Sequence, residues 1–433
     1  MAEWTADSNE AVTLSLVRAE KDQEVLGDEE AEAYQEFHPP FTYPIYGEDE
    51  KIYGYQDLVI DLRFTSGSLR QYLSVNYSKK LESTSTVDDV EGILAKFIPP
   101  EYVKDEEAFV KLVEEEAQTF KPMGQLIASY TRPAPNASTK GKGKGTAVAD
   151  PNAQDIIEYE VYHTTWDTPG FREYHRRMQL FILLYIEGGS YINEDEDTWE
   201  FVILFEKRKR ADPSLGVSYH FVGYSSLYPF YHFPEKVRLR LSQFVILSPY
   251  QRQGHGSELY RAIYHYIMQN PNIAELTVED PAEAFEDLRD KNDLQMLFSH
   301  EKFMSEAFSQ ESYGGGRVGG VGRAGKSGKG GASAKAKGRL GPPVDKIWAE
   351  RWRKDLKIAQ RQFQRLTEML ILSRLDPNDA ASARAYRLQV KERLYRFNFE
   401  ILAQLEKEER HEKLEETFQS VREDYQRILA LAC

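Results

Sequence analysis

LSQFVILSPYQRQGHGS, residues 241–257, contains a strand, a glycine loop and the start of a helix. Its apolar run at 244–247 predicts a buried strand. Beyond the loop, Leu259, Ile263 and Ile267 recur at i, i+4 and i+8, which predicts a helix that Pro271 ends. Glycines at such a junction let the backbone approach an anion closely, with the amides of the first helical turn pointing at it. Because such a turn is more often structural than ligand-binding, the rest of the chain must decide between the two.

A second glycine motif, GVGRAGKS at 320–327, matches the full P-loop pattern of nucleotide-binding proteins. A P-loop works only where a buried strand precedes it and a helix follows, so that fixed amides face the phosphates. The flanking sequences, GGGRVGG and GKGGASAKAK, predict neither element. In so glycine-rich a tract the match is expected by chance, and we reject it.

The length of 433 residues predicts two or three domains, since single cores rarely exceed about 250 residues. The chain has a single cysteine, Cys433, which argues against a disulfide framework, a cysteine-rich metal site and a thiol nucleophile.

We expect no membrane span and no secretory signal, because no apolar run approaches about 20 residues and the N-terminus lacks a basic and apolar leader. The histidines show no paired metal-ligand spacing, so we expect no metal. The sequence therefore predicts a soluble intracellular protein.

The formal net charge of -15 is unevenly distributed. Residues 312–343 carry 7 basic and no acidic side chains, so the remainder sums to -15 - 7 = -22. A folded surface this acidic argues against direct nucleic-acid binding, which needs a basic face. Acidic balance either attracts a basic partner or only keeps the protein soluble.

Shifts in composition divide the chain into segments. Strand-like and helical patterns alternate in two blocks, and the pattern after Pro343 is helical, with apolar residues from Trp352 to Leu370 at helical spacing. The predicted segments are an acidic N-terminus whose composition permits disorder (1–36), a mixed α/β domain (37–131), a flexible loop or linker (132–154), a second α/β block (155–305), a disordered Gly/Lys-rich insertion (312–343) and a helical domain (344–433).

The pattern Gln-x-x-Gly-x-Gly at 251–256, placed after a buried strand, resembles the acetyl-CoA pyrophosphate loop of the GNAT acetyltransferase superfamily. Longer stretches at 241–264 and 276–290 (LTVEDPAEAFEDLRD) resemble type B histone acetyltransferase catalytic subunits, in particular fungal ones. IYGYQDLVIDL, GFREYHRRMQLFILLYIEGGSYI and WEFVILFEK add to this resemblance, which covers about residues 37–304. It implies an α+β fold in which the 155–305 block is a GNAT core, a mixed sheet flanked by helices.

The resemblance also implies acetyl transfer from acetyl-CoA to lysines in the tail of newly made histone H4. The pantetheine arm would lie along the backbone of one strand, the pyrophosphate in the glycine loop, and the distal end of the cofactor near two later residues. The residues implied for the pantetheine arm are Phe244, Val245 and Ile246. Those implied for the pyrophosphate are Gln251, Arg252, Gln253, Gly254, His255, Gly256 and Ser257. Those implied for the distal end are Ala282 and Lys291. A structural role is the alternative for His255, and simple solvation is the alternative for Lys291.

Acetyl transfer to lysine requires that an ammonium with a free pKa of about 10.4 lose its proton. The resemblance places the catalytic glutamate at Glu279, after the predicted strand 273–278. Asp280 is expected to support it or, as the better alternative, to cap the next helix, because Asp280, Pro281 and Glu283 have the spacing of a capping box. Glu187 is expected to be an auxiliary base. A direct transfer needs no nucleophilic side chain on the enzyme.

A groove for a basic peptide needs carboxylates, and aromatic walls for the methylene stem of lysine. The candidates matched to the histone-tail contacts of the family are Glu48, Asp49, Glu50, Tyr228, Pro229 and Phe230. The alternatives are a solvated acidic turn and a core aromatic strand.

The resemblance implies partners as well: the histone H4 tail, alone or in a dimer with histone H3, and a WD40-repeat histone-binding subunit. It also implies a location in the cytoplasm and the nucleus. Two other functions stay open at this point, a GNAT enzyme for a non-histone amine and a non-catalytic histone chaperone or scaffold. The presence of Glu279 beside an intact glycine loop argues against the scaffold.

Overall fold

The computed structural model describes residues 2–82, 87–134, 156–308, 338–376 and 378–432. It consists of two compact units, Met1–Asn272 with Val278–Asp280, and Ile273–Thr277 with Pro281–Cys433. Within the described ranges, no helix is long and apolar enough to cross a membrane. The P-loop-like motif and Cys433 lie outside the described residues.

The strands of the first unit form one large sheet and three smaller ones. They are β1 Thr5–Asp7, β2 Val12–Val17, β3 Lys51–Tyr53, β4 Tyr55–Gln56, β5 Val59–Thr65, β6 Gln71–Asn76, β7 Lys79–Lys80, β8 Gln125–Pro133, β9 Ile156–Thr165, β10 Glu200–Lys209, β11 Val217–His232 and β12 Lys236–Ile246. The large sheet has the order β12-β11-β10-β9-β8, and each neighbouring pair is antiparallel. In a smaller sheet, β2 runs parallel to β5, and β5 antiparallel to β6.

The helices of the first unit lie between these strands or, in the case of α9, follow the last of them along the chain. They are α1 Ser8–Ala11, α2 Glu20–Gln23, α3 Asp28–Gln35, α4 Tyr43–Tyr46, α5 Val90–Leu94, α6 Glu106–Thr119, α7 Phe171–Met178, α8 Leu180–Tyr185 and α9 His255–Gln269. Strands and helices are thus combined with an antiparallel sheet, which confirms the α+β fold class.

The core of the first unit is built around β10. Five consecutive apolar residues of this strand, 201–205, are completely buried, as expected for a strand covered on both faces. The apolar positions predicted for α9, Leu259, Ile263 and Ile267, are also completely buried. Burying each such side chain contributes about 1.5–3 kcal/mol, so packing fixes the orientation of α9 and of the loop before it.

The second unit is mainly helical. It contains most of the strand β13 Ile273–Val278, followed by α10 Glu283–Ser299, α11 Glu301–Phe308, α12 Lys346–Asp355, α13 Gln360–Ser373, α14 Ala380–Phe397, α15 Phe399–Leu402 and α16 Lys407–Ala432. The apolar stripe from Trp352 to Leu370 does not lie on one continuous helix. α12 ends at Asp355, Lys357 follows with φ +53° and accepts a hydrogen bond from the Leu276 amide at its carbonyl, and α13 begins at Gln360.

Three stretches are more ordered than their composition predicted. Residues 2–36, for which composition permitted disorder, form β1, β2 and three helices, and β2 is largely buried and pairs with β5. Arg132 and Pro133, placed in a linker, are the last residues of β8. Leu340, placed in the disordered insertion, is 1% exposed. The proposed domain boundaries themselves stay predictions.

Candidate active site

The strand β12 contains a bulge just before the predicted cofactor strand. Its register against β11 shifts, because Ser226 of β11 faces Gln243 whereas Leu227, the next residue of β11, faces Leu241. Two hydroxyl groups hold this bulge, because Ser225 donates to the Gln243 carbonyl at 2.8 Å and Ser226 donates to Gln243 Oε1 at 3.0 Å. A bulge bends its strand and interrupts the ladder. Phe244, Val245 and Ile246 therefore follow a change in strand direction.

The glycine loop leads from this strand into α9. Gln251 Nε2 donates to the Ile246 carbonyl at 2.8 Å, and Gln253 Nε2 donates to the Pro249 carbonyl at 2.8 Å, so both amide side chains shape the loop. Gly254 is the N-cap of α9 with φ +83°, a conformation that favours glycine. It supplies no side-chain cap. The first-turn amides of an α-helix, here from His255 onward, have no acceptors within the helix, which suits them to an anion.

Buried side chains fix the loop at both ends. The Tyr250 hydroxyl donates to Glu206 Oε2 at 2.9 Å and accepts from Arg18 Nη2 at 3.0 Å. Arg18 also pairs with Glu206 through its two terminal guanidinium nitrogens, Nη1 and Nη2, at 3.0 and 2.9 Å. Burial opposes the charge of Glu206, but Arg18 and Arg208 hold the pKa of this carboxyl well below its usual range.

His255 fixes the other end of the loop. The residue is 1% exposed. Its ring shares a hydrogen bond of 2.7 Å with the Tyr130 hydroxyl through Nδ1 and packs on the Tyr159 ring at 4.5 Å. Burial, aided by Arg132, lowers the pKa of His255 to about 4. The side chain of His255 therefore has a structural role, the alternative to cofactor binding that the sequence left open. Its backbone amide is the group that remains for binding.

Glu279 lies beside β12. Its amide donates to the Leu241 carbonyl at 3.0 Å, and its half-exposed carboxylate forms an ion pair with Arg240 Nη2 at 3.2 Å. The guanidinium of Arg240 in turn lies 4.4 Å from the centroid of the Phe230 ring, which packs on Tyr228 at 4.8 Å. The candidate base and the predicted aromatic residues thus meet at Arg240. Pro229 lies between these aromatic residues on β11 and is partly exposed.

The capping role expected of Asp280 is wrong. The N-cap of α10 is Ala282, which makes no side-chain cap bond, and the helix begins at Glu283. Asp280 instead has φ +30° and is exposed. The capping-box spacing was present, but the helix starts two residues later than the box requires, so the Asp280 carboxylate does not serve as a cap.

Hydrogen bonds connect the loop that carries Glu187 to the same strand. Gln243 Nε2 donates to the Ser190 carbonyl at 2.9 Å, and the Gly188 amide donates to the Tyr43 hydroxyl at 2.5 Å. Glu187 itself is exposed. The structure therefore links the Glu187 loop both to β12 and to the segment before the acidic turn 48–50.

The three acidic residues of this turn are not equivalent. Glu50 accepts from the amides of Thr42 and Tyr43 at 3.0 and 3.2 Å, and from Asn9 Nδ2 at 2.7 Å, so its carboxylate supports α4. Asp49 accepts from the Tyr53 hydroxyl at 2.8 Å. Glu48 is exposed.

Ala282 and Lys291, the residues expected near the distal end of the cofactor, belong to the second unit. Ala282 is the N-cap of α10, and Lys291 is half-buried in the same helix. Across the described ranges, no group of three His, Cys, Asp or Glu side chains has an arrangement that could hold a metal ion.

Sequence reasoning missed two cations of the site. Arg240 contacts Glu279, and Arg132 lies against the glycine loop, with Nη2 3.0 Å from where a Cβ of Gly254 would be. Arg132 also lies 3.5 Å from Glu258. Neither arginine stands in a motif, and no signal in the sequence pointed to either.

Comparisons with known proteins agree with this geometry. The family model "Histone acetyl transferase HAT1 N-terminus" matches residues 4–187, "Acetyltransferase (GNAT) family" matches 166–285, and "Fungal HAT1, C-terminal" matches 332–376. The GNAT match includes the bulge, the glycine loop and Glu279.

Three relatives, each called histone acetyltransferase type B catalytic subunit, match most of the chain. The relative from Cryptococcus neoformans var. neoformans is 50% identical and covers 100% of this chain and 98% of its own length. Those from Mycosarcoma maydis and Homo sapiens are 45% and 30% identical, covering 90% and 99% of this chain and 82% and 94% of their own lengths. The chain therefore belongs to the histone acetyltransferase type B catalytic subunit family, and it is an acyltransferase with a GNAT domain.

Proposed function

We propose that this enzyme transfers the acetyl group of acetyl-CoA to lysines in the N-terminal tail of newly made histone H4, with Glu279 as the general base. The family membership supports histone acetylation. The observation that carries the proposal is the hydrogen bond from the Glu279 amide to the Leu241 carbonyl. It places the backbone of Glu279 beside β12, three residues before Phe244, where the cofactor is expected to bind.

The residues present fit acetyl-CoA. Phe244, Val245 and Ile246 offer backbone groups for the pantetheine arm after the bulge. The exposed loop Gln251, Arg252, Gln253 and Gly254, with the amides of His255, Gly256 and Ser257, suits a pyrophosphate, and the N-cap glycine leaves no side chain in the way. For Ala282 and Lys291, the support is the resemblance to the family alone. When bound, acetyl-CoA supplies the thioester that is the acetyl donor.

Glu279 would take a proton from the lysine ammonium, and the neutral amine would then attack the acetyl carbon directly. The C–N bond forms as the C–S bond breaks, the new amide nitrogen loses its extra proton, and the leaving thiolate takes up one proton. A half-exposed carboxylate at a strand end is accessible to a lysine side chain. Asp280, which does not cap α10, and the exposed Glu187 would assist by taking up protons near β12.

The acceptor peptide would contact the exposed acidic turn and the aromatic residues of β11. Glu48 and Asp49 would attract a basic tail, while the inward bonds of Glu50 hold the turn in shape. Tyr228, Pro229 and Phe230 would line the methylene stem of the lysine beside Arg240 and Glu279.

We further propose that the H4 tail is bound alone or in a dimer with histone H3, that a WD40-repeat histone-binding subunit associates with the enzyme, and that it works in the cytoplasm and the nucleus. The resemblance to the family supports these partners. The charge of -15 supports a basic protein partner rather than direct contact with nucleic acid.

The test is thiol release from acetyl-CoA by the full chain with three acceptors: an H4 tail peptide, an H3 tail peptide of similar charge, and spermidine. We expect release with the H4 peptide and little with the other two. Equal release with spermidine would favour a GNAT enzyme for another amine. Tight acetyl-CoA binding with no release from any histone acceptor, even as an H3–H4 dimer, would favour a non-catalytic scaffold.

A further inference from the structure

Arg240 is held in place by the sheet and by an aromatic ring. It faces Tyr228 across the β11–β12 ladder, and its guanidinium lies 4.4 Å from the Phe230 centroid. Phe230 is itself packed on Tyr228. A cation over an aromatic face is attracted by the quadrupole of the ring, whose face is negative, so the guanidinium has a preferred position before any substrate is present.

The fixed guanidinium contacts one oxygen of Glu279. Arg240 Nη2 lies 3.2 Å from Oε1, while the Glu279 backbone is tied separately to Leu241. With the backbone held, the position of the carboxylate depends on its side-chain rotamer alone. An ion pair exposed to this degree contributes little to stability, so its effect is on orientation.

We propose that Arg240 is a positioning residue: it holds Oε1 of Glu279, so that Oε2 faces the lysine of the acceptor peptide beside the Phe230 ring. This inference rests on the proposed function of Glu279 as general base. A reaction in which a base must reach one proton is sensitive to such orientation, because a misplacement of about 1 Å costs up to about a hundredfold in rate.

The test compares Arg240→Met, Arg240→Lys and a matched control, Arg238→Met, which removes the same charge two residues earlier on the same strand. Methionine keeps an unbranched stem against Phe230. We expect Arg240→Met to lower kcat for the H4 peptide about tenfold or more, with the KM for acetyl-CoA unchanged within about twofold. Lysine should restore part of the rate, because it keeps the cation, and Arg238→Met should keep the wild-type kcat.

A double variant separates this inference from the proposed function. If Arg240 acts through Glu279, adding Arg240→Met to Glu279→Gln should lower kcat no further. An unchanged kcat in Arg240→Met, or full additivity in the double variant, would overturn the positioning role while leaving Glu279 as base. If Glu279→Gln alone keeps the wild-type rate, the proposed function of Glu279 fails, and the role of Arg240 fails with it.

Discussion

The hydroxyl of Tyr250 lies 2.9 Å from Oε2 of Glu206 and donates a hydrogen bond to it. This bond joins the residue just before the glycine loop to a completely buried carboxylate of β10. Arg18, the residue that follows β2, donates to both groups. The start of the candidate cofactor loop is therefore set by charges in the core of the first unit, and by a segment near the N-terminus.

The first prediction concerns this bond. Tyr250→Phe should lower the free energy of unfolding by about 1–3 kcal/mol, because the buried Glu206 and Arg18 each lose one hydrogen bond although their ion pair stays, and should weaken acetyl-CoA binding about three- to tenfold by loosening the loop. Tyr425→Phe is the matched control. In the second unit, the Tyr425 hydroxyl also donates to a buried carboxylate, Glu368, at 2.8 Å and accepts from Arg393 at 3.0 Å. Calorimetric unfolding should show similar losses of stability in the two variants. Titration with acetyl-CoA should show weaker binding in Tyr250→Phe alone. Equal effects on binding would contradict the role of Tyr250 in the loop.

The second prediction concerns the glycine that caps α9. Gly254→Ala and Gly216→Ala both put a Cβ on a residue of positive φ, +83° and +72°, and each should cost about 1–2 kcal/mol. At Gly216 the Cβ would contact nothing within 4 Å, whereas at Gly254 it would meet Arg132 at 3.0 Å within the loop. We therefore expect only Gly254→Ala to weaken acetyl-CoA binding, measured by isothermal titration. Unchanged affinity in Gly254→Ala would argue against phosphate binding at this loop.

The third prediction concerns pH. The pKa of His255 is lowered to about 4 from the usual value of 6.5, because the neutral ring is buried. Since the unfolded chain binds the proton more readily, this histidine contributes stability that is present above pH 6.5 and is lost as the pH falls toward 4, by up to about 1.4 kcal/mol per pH unit. Urea unfolding at pH 7 and pH 5 should show a smaller loss in His255→Gln than in the wild type. His175, whose pKa burial lowers to about 3, keeps its own contribution in both proteins. An identical loss in the two proteins would contradict the burial of a neutral His255.

The fourth prediction separates the acidic residues of the turn 48–50. Glu50→Gln should destabilise the protein by about 1 kcal/mol or more, because a charged acceptor of two amides is lost. Glu48→Gln should leave stability unchanged and raise the KM for the H4 peptide about two- to fivefold, because an exposed charge mainly steers a basic partner. Thermal unfolding and peptide kinetics of the two variants provide the check. A lower KM or an unchanged one in Glu48→Gln would remove this residue from the acceptor surface.

Sequence reasoning succeeded where the signal was local. The spacing of Leu259, Ile263 and Ile267 predicted α9, because the periodicity of a helix is visible in residues that are close together in the sequence. It failed where the chain position of a boundary depends on packing. The apolar stripe after Trp352 continued through the break at Lys357, and the capping-box pattern at Asp280 gave the wrong register, since neither pattern contains the backbone conformation of the turn.

The contacts that position the candidate site join residues far apart in the chain. Arg18 and Glu206 are separated by 188 positions, and Glu206 and Tyr250 by 44. Arg132 reaches the glycine loop from β8. In the sequence, only the glycine loop and Glu279 belong to recognisable motifs. The arginines that contact them are therefore identified only from the folded structure.

The most direct test of the account is the rate of acetyl transfer to an H4 tail peptide in Glu279→Gln, at saturating acetyl-CoA, with Asp280→Asn and Glu187→Gln as matched variants. We predict that Glu279→Gln lowers the rate about a hundredfold or more, as loss of a general base does, while acetyl-CoA binds with unchanged affinity. The other two variants should lose less. A rate that survives in Glu279→Gln but collapses in Asp280→Asn or Glu187→Gln would contradict the central assignment and give the role of base to that carboxylate.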